Sequence, residues 1–337
     1  MNGSLLKKLK FYVIKLFLEI LLFIDFLEAF PIKATKIFIK AGSMIFIIAI
    51  VTGFIVIESK TRTVHNLLSY TLFYSAPTST VVATFTQPKL LETSPDFPQI
   101  TARSYIVVDL KRQQVLREYN SKTPLPPAST TKIMTALVAR DVYNLTDKLK
   151  IPEECTKTET QRVGFVVDDE ITVEDLLGAL LVNSAGDAAC ALANGKGAYD
   201  EFITLMNLKA INLGLVSTNF SNPIGLDDFS ENHLISAYDL YKLTLALRRD
   251  PILREYVKMH EYSISSGKAL RIVPNTNVLL WEVPGSVGIK TGKTYGAGEV
   301  LVYEYAKDNI NLLIVIMGSL DRFKDTKAIL NWTLASY

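Results

Sequence analysis

Pro126-Pro127-Ala128-Ser129-Thr130-Thr131-Lys132-Ile133-Met134-Thr135-Ala136-Leu137 runs two prolines into an apolar helical stretch that carries a serine and a lysine three residues apart. One helical turn puts Ser129 and Lys132 side by side. A serine hydroxyl is a weak nucleophile until a base takes its proton, and a lysine amine serves as that base when burial holds it partly neutral near pH 7. Ser-Lys is a recurring variant of the activated-serine arrangement. In the first turn of a helix the serine also meets unpaired backbone N–H groups and the positive end of the macrodipole, both suited to receive an oxyanion. A lone S-x-x-K is common, and Ser129 by itself reads equally well as an N-cap. What gives the pair weight is two later stretches in a fixed order, Asn183-Ser184-Ala185-Gly186-Asp187-Ala188-Ala189 and Gly288-Ile289-Lys290-Thr291-Gly292-Lys293-Thr294.

S-x-x-K, then an S-D-N-type turn, then K-T-G is the motif set of penicillin-binding proteins and class A β-lactamases. From Arg103 onward the chain resembles the low-molecular-weight penicillin-binding proteins, specifically the serine D-alanyl-D-alanine carboxypeptidases. Phe220-Ser221-Asn222-Pro223-Ile224-Gly225-Leu226-Asp227 and Asn275-Thr276-Asn277-Val278-Leu279-Leu280-Trp281 also look like that family. The resemblance implies an α+β, β-lactamase/DD-peptidase-like fold: an antiparallel sheet with helices on both faces and a helical subdomain. It implies an acyl-enzyme on Ser129 with Lys132 as base, and Ser184 as proton relay to the leaving D-alanine of a peptidoglycan stem peptide. Lys290, Thr291, Gly292 and Lys293 would bind substrate, the backbone N–H groups of Ser129 and Lys293 forming the oxyanion hole. β-Lactams would acylate the same serine. The chain departs from the family at Gly186, which stands where the motif has an asparagine and offers no amide. Asn183 and Asp187 flank the gap and either could substitute, although a one-residue shift changes side-chain direction.

Composition sets the surroundings. Of 337 residues, 36 are Lys or Arg and 34 Asp or Glu, a net charge of +2 that argues for no global basic field and against a nucleic-acid partner. The 49% hydrophobic content is high for a soluble protein, so part of it is assigned to a membrane. Residues 41–57 are seventeen uncharged positions, preceded by Lys33, Lys36 and Lys40 and followed by Glu58, Lys60 and Arg62. They read as a transmembrane anchor with the N-terminus in the cytoplasm and everything after about residue 58 outside. A cleaved signal peptide fits less well, because the apolar run begins late and no A-x-A-like site follows closely. Phe11 to Phe30 is interrupted by Lys15, Glu19, Asp25 and Glu28, so residues 1–40 read as a cytoplasmic amphipathic segment, with a second span as the alternative. Residues 58–100, with Pro77, Pro88, Pro95 and Pro98, read as a linker, and 101–337 as the catalytic domain of a protein held at the bacterial cell membrane. Many members of the resembled family carry a further C-terminal β-rich domain; here none is expected, and attachment is assigned to the N-terminal side.

Within the domain, Ser104–Asp109 and Gln114–Tyr119 predict a hairpin, and Ser129 to about Val142 a central helix apolar on most sides. Glu153 to Glu170 reads as irregular structure. Thr172 opens a capping-box-like helix, Leu176 to about Val182, which resumes at Ala188–Ala193 after the Ser184 break. Asp200–Gly214 is amphipathic, and Ser236 caps a helix ending near Asp250-Pro251. Strands are expected at Tyr262–Ile264 and Val287–Ile289 and in a hairpin of Val300–Tyr305 with Leu312–Met317, before a closing helix over Asp321–Ala335. Lys290-Thr291-Gly292 should lie on an edge strand, its ammonium and hydroxyl gripping a terminal carboxylate while Gly292 permits close backbone approach. Cys155 and Cys190 could pair outside the membrane, but the apolar helix around Cys190 favours separate buried thiols. His65, His233 and His260 have no metal-ligand spacing, with His233 expected near the Asn222 loop, and no phosphate or dinucleotide loop implies a cofactor.

Three rival readings share these residues. A class A β-lactamase should carry a Glu-x-x-Leu-Asn pattern between Ser184 and Lys290, which is absent. A DD-endopeptidase would use the same scaffold. A catalytically weak peptidoglycan-binding homologue is motivated by Gly186.

Overall fold

Alternation along the apolar strands decides how the chain layers itself. The structure, a computed structural model, describes residues 95–337 apart from 197–198, 229–231 and 267–268. The segment 1–40, the anchor 41–57 and nearly all of the linker lie outside the described residues. Among the described residues no helix is long and apolar enough to cross a membrane.

The elements are β1 (Ser104–Asp109), β2 (Gln114–Tyr119), α1 (Lys132–Val142), β3 (Lys148–Lys150), β4 (Glu170–Thr172), α2 (Val173–Val182), α3 (Gly186–Asn194), α4 (Tyr199–Asn212), α5 (Ala237–Arg249), α6 (Pro251–Tyr256), β5 (Glu261–Ser266), β6 (Ala269–Pro274), α7 (Leu279–Glu282), β7 (Ser286–Thr294), β8 (Gly298–Lys307), β9 (Ile310–Ser319) and α8 (Arg322–Ser336). Five strands form one antiparallel sheet in the order β2-β1-β9-β8-β7, with β7 at an edge. Side chains alternate across a strand, and here both faces are covered. Ile106, Val108, Val300, Val302, Leu313 and Val315 point into a core shared with the helical subdomain. Tyr105, Val107, Leu301, Tyr303, Leu312 and Ile314 point the other way, onto Ile329 and Leu330 of α8. The α+β architecture with helices on both faces is the one expected.

Helix α1 sits at the centre of the subdomain: Lys132 to Ala139 are all buried, and it packs against α2, α3, α4 and α5. Its lead-in differs from expectation. Ala128–Thr131 forms a separate 3-10 turn, and the α-helix starts only at Lys132. Helix starts are fixed by side-chain caps, Thr172 accepting from the Asp175 N–H, Ser236 from that of Asp239, and Asp321 from that of Lys324. Helix α2 begins at Val173, three residues before the expected start, because Thr172 itself is the cap.

The cysteine expectation is overturned. Cys155 and Cys190 are joined in a disulfide, with Cα atoms 5.3 Å apart. Burial of Cys190 on an apolar helix face is real, but the neighbour buried against that face is Cys155, carried by the 3-10 turn Glu153–Lys157.

The beginning and end of the described chain are tied to each other. Asp325 in α8 accepts from the Thr101 N–H at 3.0 Å, from the Thr101 hydroxyl at 2.7 Å and from the Ser319 hydroxyl at 2.7 Å. The Trp332 indole N–H donates to the Pro95 carbonyl at 2.9 Å.

Candidate active site

Ser129 lies in the 3-10 turn, one residue after Ala128, which is held at φ +49°. Non-glycine residues in this region are uncommon and gather where surrounding structure over-determines them. The surroundings here are identifiable. The Thr130 and Thr131 hydroxyls donate back to the Pro127 and Ala128 carbonyls at 2.7 and 2.9 Å. His233 Nδ1 accepts from the Ser221 N–H at 2.9 Å, so Nε2 carries the proton and meets Thr131 Oγ1 at 2.9 Å. Burial pushes His233 down to about 4, against the pull of Asp228 and Asp227, and it therefore stays a neutral structural pin. This is the placement beside the Asn222 loop that the sequence suggested.

Lys132 Nζ is 2.9 Å from Ser129 Oγ and donates to the Ile224 carbonyl at 2.6 Å. Its side chain is fully buried, and desolvation lowers it to about 7, with the Asp187 carboxylate pulling the other way. A substantial fraction is thus free amine at neutral pH, poised to accept the serine proton. The carbonyl that steadies the amine comes from the Ser221–Asp227 loop. Asn222 Oδ1 accepts from the N–H groups of Ile224, Gly225 and Leu226 at 3.2, 2.7 and 3.0 Å, folding the loop so that Ile224 presents its carbonyl inward. Gly225 adopts φ +90°, and a Cβ there would stand 1.9 Å from the Ala128 carbonyl oxygen. Through this loop the backbone itself reaches the reacting groups.

Ser184 occupies the break between α2 and α3 at φ +64° and faces the same groove as Ser129. Neither flanking residue turns that way. Asn183 donates to the Pro274 carbonyl at 3.1 Å, and Asp187 accepts from the N–H groups of Val163 and Gly164 at 3.2 and 2.8 Å; both are buried. The expectation that one of them stands in for the missing asparagine is therefore not met.

Strand β7 forms the opposite wall. Thr291, Gly292 and Lys293 line the groove, whose volume is about 790 Å³. A Cβ on Gly292 would stand 2.9 Å from the Ser129 amide nitrogen and from Ala128 Cβ, so the glycine is what lets the strand close onto the nucleophile turn. Lys290 is buried behind the wall, its Nζ donating to the Thr291 carbonyl at 3.1 Å. Desolvation, with Lys132 and Arg322 nearby, drives Lys290 well below the ordinary lysine range. Beside Lys293, a second cation lines the groove: Arg322, which donates to the Gly292 carbonyl at 3.2 Å and lies 3.7 Å from Glu299. Its Nε is buried and has no hydrogen-bond partner among the described residues. Thr291 Oγ1 meets Thr276 Oγ1 at 2.6 Å. Arg322 escaped the sequence reading because it belongs to no motif; its only signal was an arginine opening the closing helix.

A serine and a half-neutral lysine at the head of a buried helix, faced by a second serine and an edge strand, define an active-serine acyltransferase site on a penicillin-binding-protein scaffold. The chain belongs to the D-alanyl-D-alanine carboxypeptidase family, whose model matches residues 91–320. It is 33% identical over 226 residues to D-alanyl-D-alanine carboxypeptidase DacB2 of Mycobacterium tuberculosis, spanning 67% of this chain and 77% of that one. With D-alanyl-D-alanine carboxypeptidase DacC of Escherichia coli the identity is 34% over 257 residues, 72% of this chain but 63% of the relative. A crystal structure of a D-alanyl-D-alanine carboxypeptidase from M. tuberculosis H37Rv matches at TM-score 0.69 and 30% identity, over 74% of this chain and 96% of that one.

Proposed function

We propose that the chain is a penicillin-sensitive serine DD-carboxypeptidase that removes the terminal D-alanine from peptidoglycan stem pentapeptides. The observation that carries the reading is the Lys132 amine, lowered to about 7 and 2.9 Å from Ser129 Oγ, opening onto a groove whose far wall bears Thr291 and Arg322. Lys132 takes the Ser129 proton, and the oxygen attacks the carbonyl carbon of the penultimate D-alanine. The oxyanion is received by the backbone N–H groups of Ser129 and Lys293. The carbon–nitrogen bond to the terminal D-alanine breaks as Ser184 relays the proton held by Lys132 to the leaving amine, which returns Lys132 to the free amine. Water, deprotonated by Lys132, then hydrolyses the ester and restores the serine. The terminal carboxylate is held by the Thr291 hydroxyl and the Arg322 guanidinium, with Lys290 acting from behind the strand and Gly292 keeping strand and nucleophile together.

We also assign residues 41–57 to a single-pass bacterial membrane anchor, 1–40 to the cytoplasm and 58–100 to a linker, with the catalytic domain from about residue 101 outside. The disulfide supports an oxidising location for the domain. Carbonate-resistant membrane association, with the domain digested by protease added to spheroplasts, is the expected behaviour. For the chemistry, a labelled penicillin should form a covalent adduct with wild type and none with Ser129→Ala. D-Alanine should be released from a pentapeptide. An adduct on Ser129→Ala overturns the assignment.

A further inference from the structure

We propose that Thr160 supplies the groove-wall hydrogen-bonding group that Gly186 cannot, so that Thr160 and Gly186 together replace the third residue of the S-D-N-type turn. A Cβ built on Gly186 would stand 1.8 Å from Thr160 Oγ1, 3.2 Å from Thr160 Cβ and 3.4 Å from Thr158 Oγ1. The space where a side chain at residue 186 would begin is already filled by a hydroxyl from another segment. Thr160 lines the groove with Ser129 and Ser184. Its described hydrogen bond, donated to the Gln161 carbonyl, is a long 3.4 Å, which leaves its acceptor lone pairs and a better donor geometry for a bound molecule.

The segment carrying Thr160 is tied to the first turns of α3 on both sides of that residue. Before it, the Cys155–Cys190 disulfide joins the segment to α3 one helical turn beyond Gly186. Immediately after it, the Gln161 carbonyl accepts from the Gly186 N–H at 2.7 Å. Two and three residues further on, the N–H groups of Val163 and Gly164 donate to the Asp187 carboxylate. A wall held at these points presents its hydroxyl in one place, the condition under which a single hydrogen bond orients a substrate. The group it meets is a backbone amide of the acyl-D-alanine chain lying between this wall and β7, or the side-chain amide of a penicillin in the same place. The glycine is then not a lesion in the motif. Any larger residue would expel the threonine.

This inference rests on the acyl-enzyme reading, and the experiment keeps the two apart. Second-order acylation by a fluorescent penicillin and kcat and KM for D-alanine release are measured for wild type, Thr160→Ser, Thr160→Val, Gly186→Asn and the double variant Gly186→Asn/Thr160→Gly, with thermal melts on each. Thr160→Val keeps the shape and loses the hydroxyl; it should melt with wild type yet acylate about 3- to 10-fold more slowly, the effect of one lost hydrogen bond. Thr160→Ser should retain most of the rate. Gly186→Asn alone should be impaired by collision with Thr160, and removing that side chain in the double variant should restore rate above either Gly186→Asn or Thr160→Val. Wild-type acylation with Thr160→Val equal to wild type, or Gly186→Asn faster without any second change, overturns the exchange and leaves the hydrolase reading standing. If wild type forms no adduct at all, both readings fall.

Discussion

Lys132 loses its hydration to burial, and the same burial makes its amine a base near neutrality. The sign of the pH dependence follows. Below about 7 the amine is protonated and cannot accept the Ser129 proton; above it the amine is free, so acylation should rise with pH through about 7 and then level. Stopped-flow acylation between pH 5.5 and 9, on the order of one unit either side of that value and beyond, measures the break. Lys132→Arg, whose guanidinium stays charged, should abolish the rising limb and slow acylation by roughly 10³-fold or more. His233, held down to about 4 by burial, adds no second break in that window. Arg322 belongs to the same scale. Arg322→Leu should raise KM for peptides ending in a free carboxylate by about 10- to 100-fold, as expected for a lost charge-assisted bond, and change little for the same peptides ending in an amide. A steady-state comparison of the two peptide series decides it. Ser129 and Lys132 were legible because a three-residue spacing is local information. Arg322 was not, since only the folded chain brings the start of α8 beside Gly292.

Elements position those side chains through backbone geometry, and there the sequence was informative in proportion to the length of its pattern. The long alternating strands β8 and β9 and the capped helices α2 and α5 could be read directly. The three-residue strands β3 and β4 could not, because each buries a single side chain. The disulfide was misread for a related reason: an apolar helix face announces that Cys190 is covered, not which residue covers it. Gly225 shows how narrow the tolerances are. With φ +90° and the Ala128 carbonyl 1.9 Å from where a Cβ would stand, Gly225→Ala must displace either its own loop or the nucleophile turn. Penicillin acylation should fall about 10-fold or more from the misplacement of Ser129 and of the Ile224 carbonyl on Lys132, and parallel melts should show a lowered midpoint.

At the scale of the whole molecule, one sheet serves two cores, and the groove lies where its edge strand meets the helical subdomain. The disulfide closes a loop between residues 35 apart in sequence, for which restriction of the unfolded chain predicts stabilisation of about 4 kcal/mol. Cys155→Ser/Cys190→Ser should therefore melt roughly 8–16 °C lower, on the scale expected for a domain of this size. Calorimetry on the oxidised protein and the double variant tests this, and an unchanged midpoint would assign the bond no global role. The clasp between Thr101 and Asp325 and between Pro95 and Trp332 has a different consequence. Because first and last segments of the domain already touch, its covalent order is separable from its shape. A short bridge from Tyr337 to Pro95, with new termini opened at the exposed Asp308-Asn309 tip, would circularly permute the domain without moving a wall of its groove.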